Sequence, residues 1–134
     1  MNEQENNMIN CLFDSSALLA VIKREQGYEE IEKYLKNSFI SSVNYSEVIT
    51  ILSLAKMPLF EAENIIKPLI HKIVPFDTQL AGLTGELTTI TSEFGLSLGD
   101  RACIATAKFF DYDIITTDKI WSKLNLPVRI SVMR

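Results

Sequence analysis

Five short apolar runs, separated by segments with a helical pattern, limit how this chain can fold. The runs are INCLF (9–13), SFISS (38–42), HKIVPF (71–76), DIITT (113–117) and PVRISVM (127–133). Runs of this length are typical of buried strands, and apolar residues spaced three to four apart between them indicate helices. The predicted order is β-α-α-β-α-α-β-α-α-β-α-β. Such alternation favours a mostly parallel sheet with helices on both faces, a three-layer α/β/α domain.

Size and composition predict a single globular domain over residues 1–134. Hydrophobic residues make up 47% of the 134 and charged residues 22%, an ordinary balance for a packed core. Residues 1–8 are polar and are expected to fray. They do not resemble a signal peptide, and no apolar run approaches the roughly 18 residues of a membrane span. We therefore expect a cytoplasmic protein without a membrane partner.

Cysteine and histidine usage excludes several kinds of site. Cys11 and Cys103 lie in apolar surroundings without a nearby second cysteine, so buried free thiols are expected. His71 is the only histidine, which leaves no zinc site and makes histidine-based catalysis unattractive. The net charge of −4 weighs against nucleic acid as a partner, because such binding normally begins with a basic surface. Bound cations and local basic residues would have to offset it.

Several acidic residues lie where parallel sheets form their ligand-binding sites. Asp14 and Asp118 each follow a predicted strand closely. Asp100 opens a predicted helix, and Glu47 lies in the first turn of a helix predicted to start near Asn44. Ligand sites in open parallel sheets lie outside the carboxyl ends of the strands, so these acids are expected at one edge. A Mg²⁺ or Mn²⁺ ion would offset their repulsion and could activate water against a phosphate.

The same acids also have a purely structural interpretation. An aspartate at a helix start is favoured as an N-cap, which applies to Asp14, Asp100 and Asp118. Asn44 and Glu47 have the spacing of a capping box. Taken singly, therefore, none of these acids identifies a site, and their joint pattern must decide.

The pattern of residues 78–93 predicts one long helix. The acid before it can be compared with the acids of the candidate site. Asp77 precedes it as an N-cap and is assigned no chemistry. Gly82 and Gly85 lie inside the segment, where each costs about 1 kcal/mol relative to alanine. Close packing of this helix against another helix would explain both glycines.

Four segments share motifs with a known family. They are LFDSSALLA (12–20), SSVNYSEV (41–48), GLSLGDRACIATA (95–107) and IITTDKIW (114–121). In this order they resemble the motifs of the PIN-domain family, especially the VapC-like toxins of prokaryotic toxin–antitoxin pairs. The third segment is the most specific match, and the four together nearly span the chain.

The resemblance implies a Mg²⁺-dependent endoribonuclease, with Mn²⁺ as an alternative ion. It implies the toxin of a type II toxin–antitoxin pair, with RNA as substrate, a cognate antitoxin as partner and a homodimeric assembly. The residues to which it carries catalytic and metal-binding roles are Asp14, Glu47, Asp100 and Asp118. Glu47 would bind a second ion or position the attacking water.

Supporting roles are expected around these acids. Ser16 and Thr116 could orient the carboxylates through hydrogen bonds, or serve as a cap and a strand-end polar residue. Arg101 could contact phosphate or a partner, although a structural role is favoured. Trp121 is expected in the core rather than against a base. The lysines that could reach phosphate, or simply face solvent, are Lys119 and Lys123.

Three other functions fit less well. A haloacid-dehalogenase-like phosphatase would need a second aspartate two residues after Asp14, where Ser16 stands. A receiver-like signalling domain would need an acidic pair at the first strand and a phosphoacceptor on the third, which reaches Asp77 only at its end. A PIN-like module that only binds remains open, although the intact acids argue against it.

Overall fold

A computed structural model of the chain describes residues 9–133, so the predicted fraying of residues 1–8 lies outside the described residues. Its centre is a five-stranded sheet in the order β3-β2-β1-β4-β5, with every neighbouring pair parallel. The strands are β1 (Cys11–Phe13), β2 (Ser38–Ser41), β3 (Lys72–Val74), β4 (Asp113–Thr116) and β5 (Ile130–Val132). The predicted α/β class and the parallel sheet are confirmed.

Seven helices connect the strands within the described residues. They are α1 (Ser15–Ile22), α2 (Tyr28–Glu32), α3 (Ser42–Leu54), α4 (Leu59–Ile66), α5 (Thr78–Glu86), α6 (Thr88–Thr91) and α7 (Leu98–Phe110). Short 3₁₀ turns cover Leu35–Asn37, Ser92–Phe94 and Lys119–Lys123. None of these helices is long and apolar enough to cross a membrane.

The two faces of the sheet carry separate hydrophobic clusters. Adjacent strand residues point to opposite faces, so Phe13 and Ile115 join the cluster under α1 to α4, whereas Leu12 and Ile114 join the cluster under α7. Trp121 belongs to the second cluster and is 1% exposed, which confirms its predicted place in the core. The three layers therefore follow from the period-two pattern of the central strands.

The strand order creates a switch point beside β1. From β1 the chain builds outward through β2 and β3 on one side, then returns to add β4 and β5 on the other. In such sheets the connections at the carboxyl ends diverge between the first strands of the two halves, which opens a crevice. That crevice lies between the ends of β1 and β4, where Asp14 and Asp118 follow.

The segment 78–93 differs from its prediction. It forms α5, α6 and a 3₁₀ turn rather than one helix. A Cβ atom added at Gly82 or Gly85 would meet no atom within 4 Å, so the predicted close packing at these glycines is wrong. The helix packs through its other side, where Leu80 and Thr84 are buried.

The thiol and imidazole groups lie where the sequence predicts. Cys11 and Cys103 are free and buried. His71 is exposed, and its ring touches Phe39 edge-on at a centroid distance of 5.5 Å.

Candidate active site

Asp14 lies at the switch point and is almost completely buried, with 4% of its surface exposed. Its Oδ1 accepts hydrogen bonds from the backbone N–H of Ala17 at 2.9 Å and from the Ser16 hydroxyl at 2.7 Å. Its Oδ2 accepts one from the Thr116 hydroxyl at 2.5 Å. Asp14 is therefore the N-cap of α1, as the structural interpretation held, and its carboxylate is also fixed by the two hydroxyls predicted to orient it.

The two hydroxyls join the carboxyl ends of β1 and β4. Ser16 Oγ accepts a hydrogen bond from the Thr117 N–H at 3.1 Å, and Thr116 Oγ1 accepts one from the Asp118 N–H at 3.0 Å. The two oxygens lie 3.3 Å apart. This network fixes where the chain leaves β4 relative to Asp14.

Burial makes the Asp14 carboxylate costly to ionise. Burial raises the pKa of Asp14 from its usual 3.8 to about 6, against the opposing effect of its three hydrogen bonds. The negative charge of Asp100 raises this pKa further. A side chain needed only as a helix cap does not have to be buried: Asp77, the N-cap of α5, is exposed.

Glu47 is held by a contact that the capping-box interpretation did not foresee. The N-cap of α3 is Ser41, whose hydroxyl accepts from the Val43 N–H at 3.2 Å, so Asn44 is the third residue of the helix. Asn44 Nδ2 donates to Glu47 Oε1 at 2.7 Å and to the Gly99 carbonyl at 3.1 Å. The proposed box is therefore wrong, because a serine three residues earlier caps the helix.

Asp100 takes part in a capping box of its own. It is the third residue of α7 rather than the residue that opens the helix, and the N-cap is Ser97. Asp100 Oδ2 accepts from the Ser97 N–H at 3.1 Å, and Ser97 Oγ accepts from the Asp100 N–H at 3.1 Å. This reciprocal pair fixes the carboxylate on the first turn of α7.

Asp118 is more exposed than the other three acids. Its side chain is exposed, and its Oδ1 accepts from the Ile120 N–H at 3.1 Å as the cap of a 3₁₀ turn. It is attached to the Asp14 network only through its backbone N–H. Asp118 therefore lies at the rim of the crevice.

The charges of three of the acids act on one buried thiol. Burial raises the pKa of Cys103 well above its ordinary value, and the charges of Asp14, Asp100 and Glu47 raise it further. Asp118 is not among the groups that do so. These three acids therefore share one neighbourhood at the first turns of α7.

The acids do not close around one point. Within residues 9–133, no three His, Cys, Asp or Glu side chains are arranged to hold one metal ion. Each carboxylate is held instead by donors of nearby backbone or side chains. Glu47 Oε2 and Asp100 Oδ1 accept no hydrogen bond from the described residues, whereas both oxygens of Asp14 do.

The basic residues near the crevice differ in role. Arg101 donates from Nη1 to the Thr84 carbonyl at 3.1 Å and so joins α7 to α5, the structural role that the sequence favours. Lys119 and Lys123 are exposed on the turn that follows Asp118. They are the basic side chains of this rim.

Family comparison places this architecture in a known class. The family model described as the PIN domain matches residues 11–126, so the chain belongs to the PIN-domain family. No curated protein sequence matches the chain.

Solved structures share its fold at low sequence identity. A chain of DNA-bound VapBC from Salmonella typhimurium is 18% identical with a TM-score of 0.74, and the match covers 93% of this chain and 98% of that one. A chain of VapBC2 from Rickettsia felis, bound to a promoter DNA fragment, is 19% identical with a TM-score of 0.72, covering 92% and 98%. VapC20 of Mycobacterium tuberculosis, a toxin that cleaves the sarcin–ricin loop, is 13% identical with a TM-score of 0.66, covering 89% and 98%.

Proposed function

We propose that this PIN domain is a metal-dependent endoribonuclease and the toxin of a type II toxin–antitoxin pair. The observation that carries the proposal is the buried carboxylate of Asp14 at the switch point, with the charges of Asp100 and Glu47 close by. Clustered acids of this kind at a strand end need a cation to be stable when ionised. Membership of the PIN family and the solved VapBC and VapC neighbours support the same reading.

The donor chemistry fits a hard divalent ion. The candidate ligands are all carboxylate oxygens, which suit Mg²⁺ or Mn²⁺. The neighbouring Cys103 is buried, and its raised pKa keeps it a thiol rather than a thiolate ligand. The residues that would hold the ion are Asp14, Asp100 and Asp118, with Glu47 adjacent. Their side chains would have to draw together around it, because no three of them are arranged to hold one ion within residues 9–133. Such an ion lowers the pKa of a bound water and stabilises negative charge on a phosphate.

The chain's own residues would organise the hydrolysis. Ser16 and Thr116 keep both oxygens of Asp14 in place, so the carboxylate does not rotate away from the crevice. Glu47 Oε2, which accepts no hydrogen bond from the described residues, would accept one from the attacking water. The water oxygen forms a new bond to phosphorus as one P–O ester bond breaks, leaving one fragment with a phosphate end and one with a hydroxyl end.

Partners follow from the same assignment. Exposed Lys119 and Lys123 beside Asp118 give the acidic chain a local basic rim for the RNA backbone. The VapBC neighbours support a cognate antitoxin as the regulating partner. We also propose that the protein is a homodimer and acts in the cytoplasm.

RNA cleavage by purified protein tests the nuclease. Cleavage should require Mg²⁺ or Mn²⁺, stop with EDTA and be lost in Asp100→Asn, whereas Asp77→Asn should cleave as the unaltered chain does. Asp77 is the matched control because it also starts a helix but lies outside the crevice. Cleavage that persists in EDTA, or in Asp100→Asn, contradicts the metal site. RNA binding without any cleavage would favour a binding module.

Expression in a bacterial host tests the toxin role. Growth should stop when the unaltered chain is induced and continue when Asp100→Asn is induced to the same level. Equal arrest by both proteins would show that poisoning does not come from the nuclease. Co-expression of a candidate antitoxin should restore growth.

A further inference from the structure

We propose that Asn44 and Gly99 are positioning residues that hold the Glu47 carboxylate over the first turn of α7, next to Asp100. The inference rests on the proposed function, since it concerns how the acidic site is prepared. It assigns a role to two uncharged residues for which the sequence predicts no chemistry. Neither touches substrate in this role; both act through Glu47.

Asn44 uses both hydrogens of its side-chain amide. One goes to Glu47 Oε1 at 2.7 Å and the other to the Gly99 carbonyl at 3.1 Å, so one amide joins α3 to α7. Asn44 is 1% exposed, and its Oδ1 has no hydrogen-bond partner among the described residues. An unpaired buried acceptor costs free energy. Asn44 therefore contributes through its Nδ2 donor and not through Oδ1. A rotated amide would place Oδ1 against two other acceptors.

Gly99 supplies the space that the carboxylate occupies. A Cβ built on Gly99 would lie 2.3 Å from Glu47 Oε2 and 2.6 Å from both Cδ and Oε1. No real Cβ approaches other atoms so closely, so any larger residue at position 99 would displace the carboxylate. The Glu47 side chain is flexible, and it would move before the helices do. The Glu47 carboxylate therefore lies directly against the backbone of α7.

Together the two contacts define one position for Glu47. Asn44 fixes the carboxylate from the α3 side, and Gly99 lets it rest directly on α7. Oε2, the oxygen that accepts no hydrogen bond from the described residues, stays available for water or a cation. This explains why an asparagine that does not cap α3 is buried three residues before Glu47.

Gly99→Ala is the decisive variant, with Gly82→Ala as its matched control. Both glycines lie in helices, but an added Cβ at Gly82 meets nothing within 4 Å. Mn²⁺ binding, measured by calorimetry without RNA, should weaken about 10- to 100-fold in Gly99→Ala, the range expected when an outer-shell contact is lost. Gly82→Ala should bind as the unaltered chain does. Gly82→Ala should keep its melting temperature or gain slightly, because alanine favours helix. Gly99→Ala should fold but melt somewhat lower, because the buried Asn44 amide loses Glu47 as an acceptor.

A double-mutant cycle separates positioning from general damage. Glu47→Ala should weaken Mn²⁺ binding, and adding Gly99→Ala to it should change the affinity less than about twofold, since no carboxylate remains to be displaced. Losses that multiply in the double variant would overturn the proposal. So would full affinity in Gly99→Ala alone.

A metal-free measurement keeps the proposal testable if the metal site itself fails. In ¹⁵N spectra recorded with EDTA, the side-chain amide signals of Asn44 should move in Gly99→Ala and in Glu47→Ala, and stay in place in Gly82→Ala. Unmoved Asn44 signals in Gly99→Ala would refute the positioning role. If the unaltered chain binds no Mn²⁺, the proposed metal chemistry is contradicted. The Asn44 amide signals then decide by themselves whether Asn44 and Gly99 position Glu47.

Discussion

Replacing Asp14 with asparagine should stabilise the metal-free protein at neutral pH while removing its proposed activity. The pKa of Asp14 in the folded chain, about 6, lies above its usual 3.8, so folding favours the protonated carboxyl. The stability that this group contributes is therefore present below about pH 3.8 and is lost as the pH rises through about 6. Asparagine has nearly the same shape and carries no charge at any pH.

The magnitude follows from the size of the pKa shift. A shift from 3.8 to about 6 corresponds to about 3 kcal/mol at pH 7.5, because one pKa unit is about 1.4 kcal/mol. At pH 4.5 the folded carboxyl is mostly protonated, and the penalty falls to about 1 kcal/mol. The advantage of Asp14→Asn should therefore shrink by about 2 kcal/mol between the two pH values.

The local hydrogen bonds accept the amide with little rearrangement. Ala17 N–H and Ser16 Oγ continue to donate to the remaining Oδ1. The Thr116 hydroxyl must turn to accept from the new NH₂ group, and it can direct its own hydrogen to Ser16 Oγ, 3.3 Å away. A hydroxyl has two lone pairs, so it can still accept from the Asp118 N–H.

Denaturant unfolding in EDTA at pH 7.5 and pH 4.5 measures the effect. The melting temperature at pH 7.5 should also rise, by about 3 °C or more for each kcal/mol. Asp77→Asn is the control, because Asp77 also caps a helix but is exposed, and aspartate and asparagine cap about equally well. If Asp14→Asn proves no more stable than the unaltered chain at pH 7.5, burial does not penalise this charge, and the reasoning from burial to a cation site fails.

Three further predictions follow from single contacts. Thr116→Val should lower cleavage about 10- to 100-fold through the lost bond to Asp14, and Thr116→Ser should restore most of it; equal activity of the two variants would contradict the role of the hydroxyl. Trp121→Phe should cost about 1 to 3 kcal/mol in urea unfolding, because the smaller ring leaves part of a buried site empty, and it should leave cleavage unchanged, because the indole N–H has no partner among the described residues; a selective loss of cleavage would point to base stacking instead. Burial raises the pKa of Cys11 to about 12 and that of Cys103 well above its usual value, so a thiol reagent at pH 8 should label neither until the chain is unfolded. Fast labelling of the folded protein would contradict the burial of these thiols.

Local sequence patterns predicted where most helices and strands lie better than they predicted the residues at which the helices begin. Ser41 and Ser97 cap α3 and α7, each upstream of the residue expected to open the helix, because a serine hydroxyl can reach the same N–H groups that Asn44 or Asp100 would. A capping pattern in sequence does not say which of several adjacent polar residues takes the cap. The exposed glycines of α5 were misread for a related reason: a helix pattern does not say which side of the helix packs.

The sequence by itself determined the positions of the five strands along the chain, the parallel sheet and the position of Asp14 and Asp118 at the ends of strands, because each depends on residues close together in the chain. It did not determine every helix: residues 78–93 form two helices and a 3₁₀ turn, and the helix expected after Asp118 is a 3₁₀ turn. It also indicated Ser16 and Thr116, although they are 100 residues apart, since both stand next to an acid at a strand end. Only the tertiary structure decided which acids act on the same buried group. The charges of Asp14, Asp100 and Glu47 all raise the pKa of Cys103, and Asn44 of α3 donates to the Gly99 carbonyl of α7. These contacts depend on how α3 packs against α7, which no local spacing encodes.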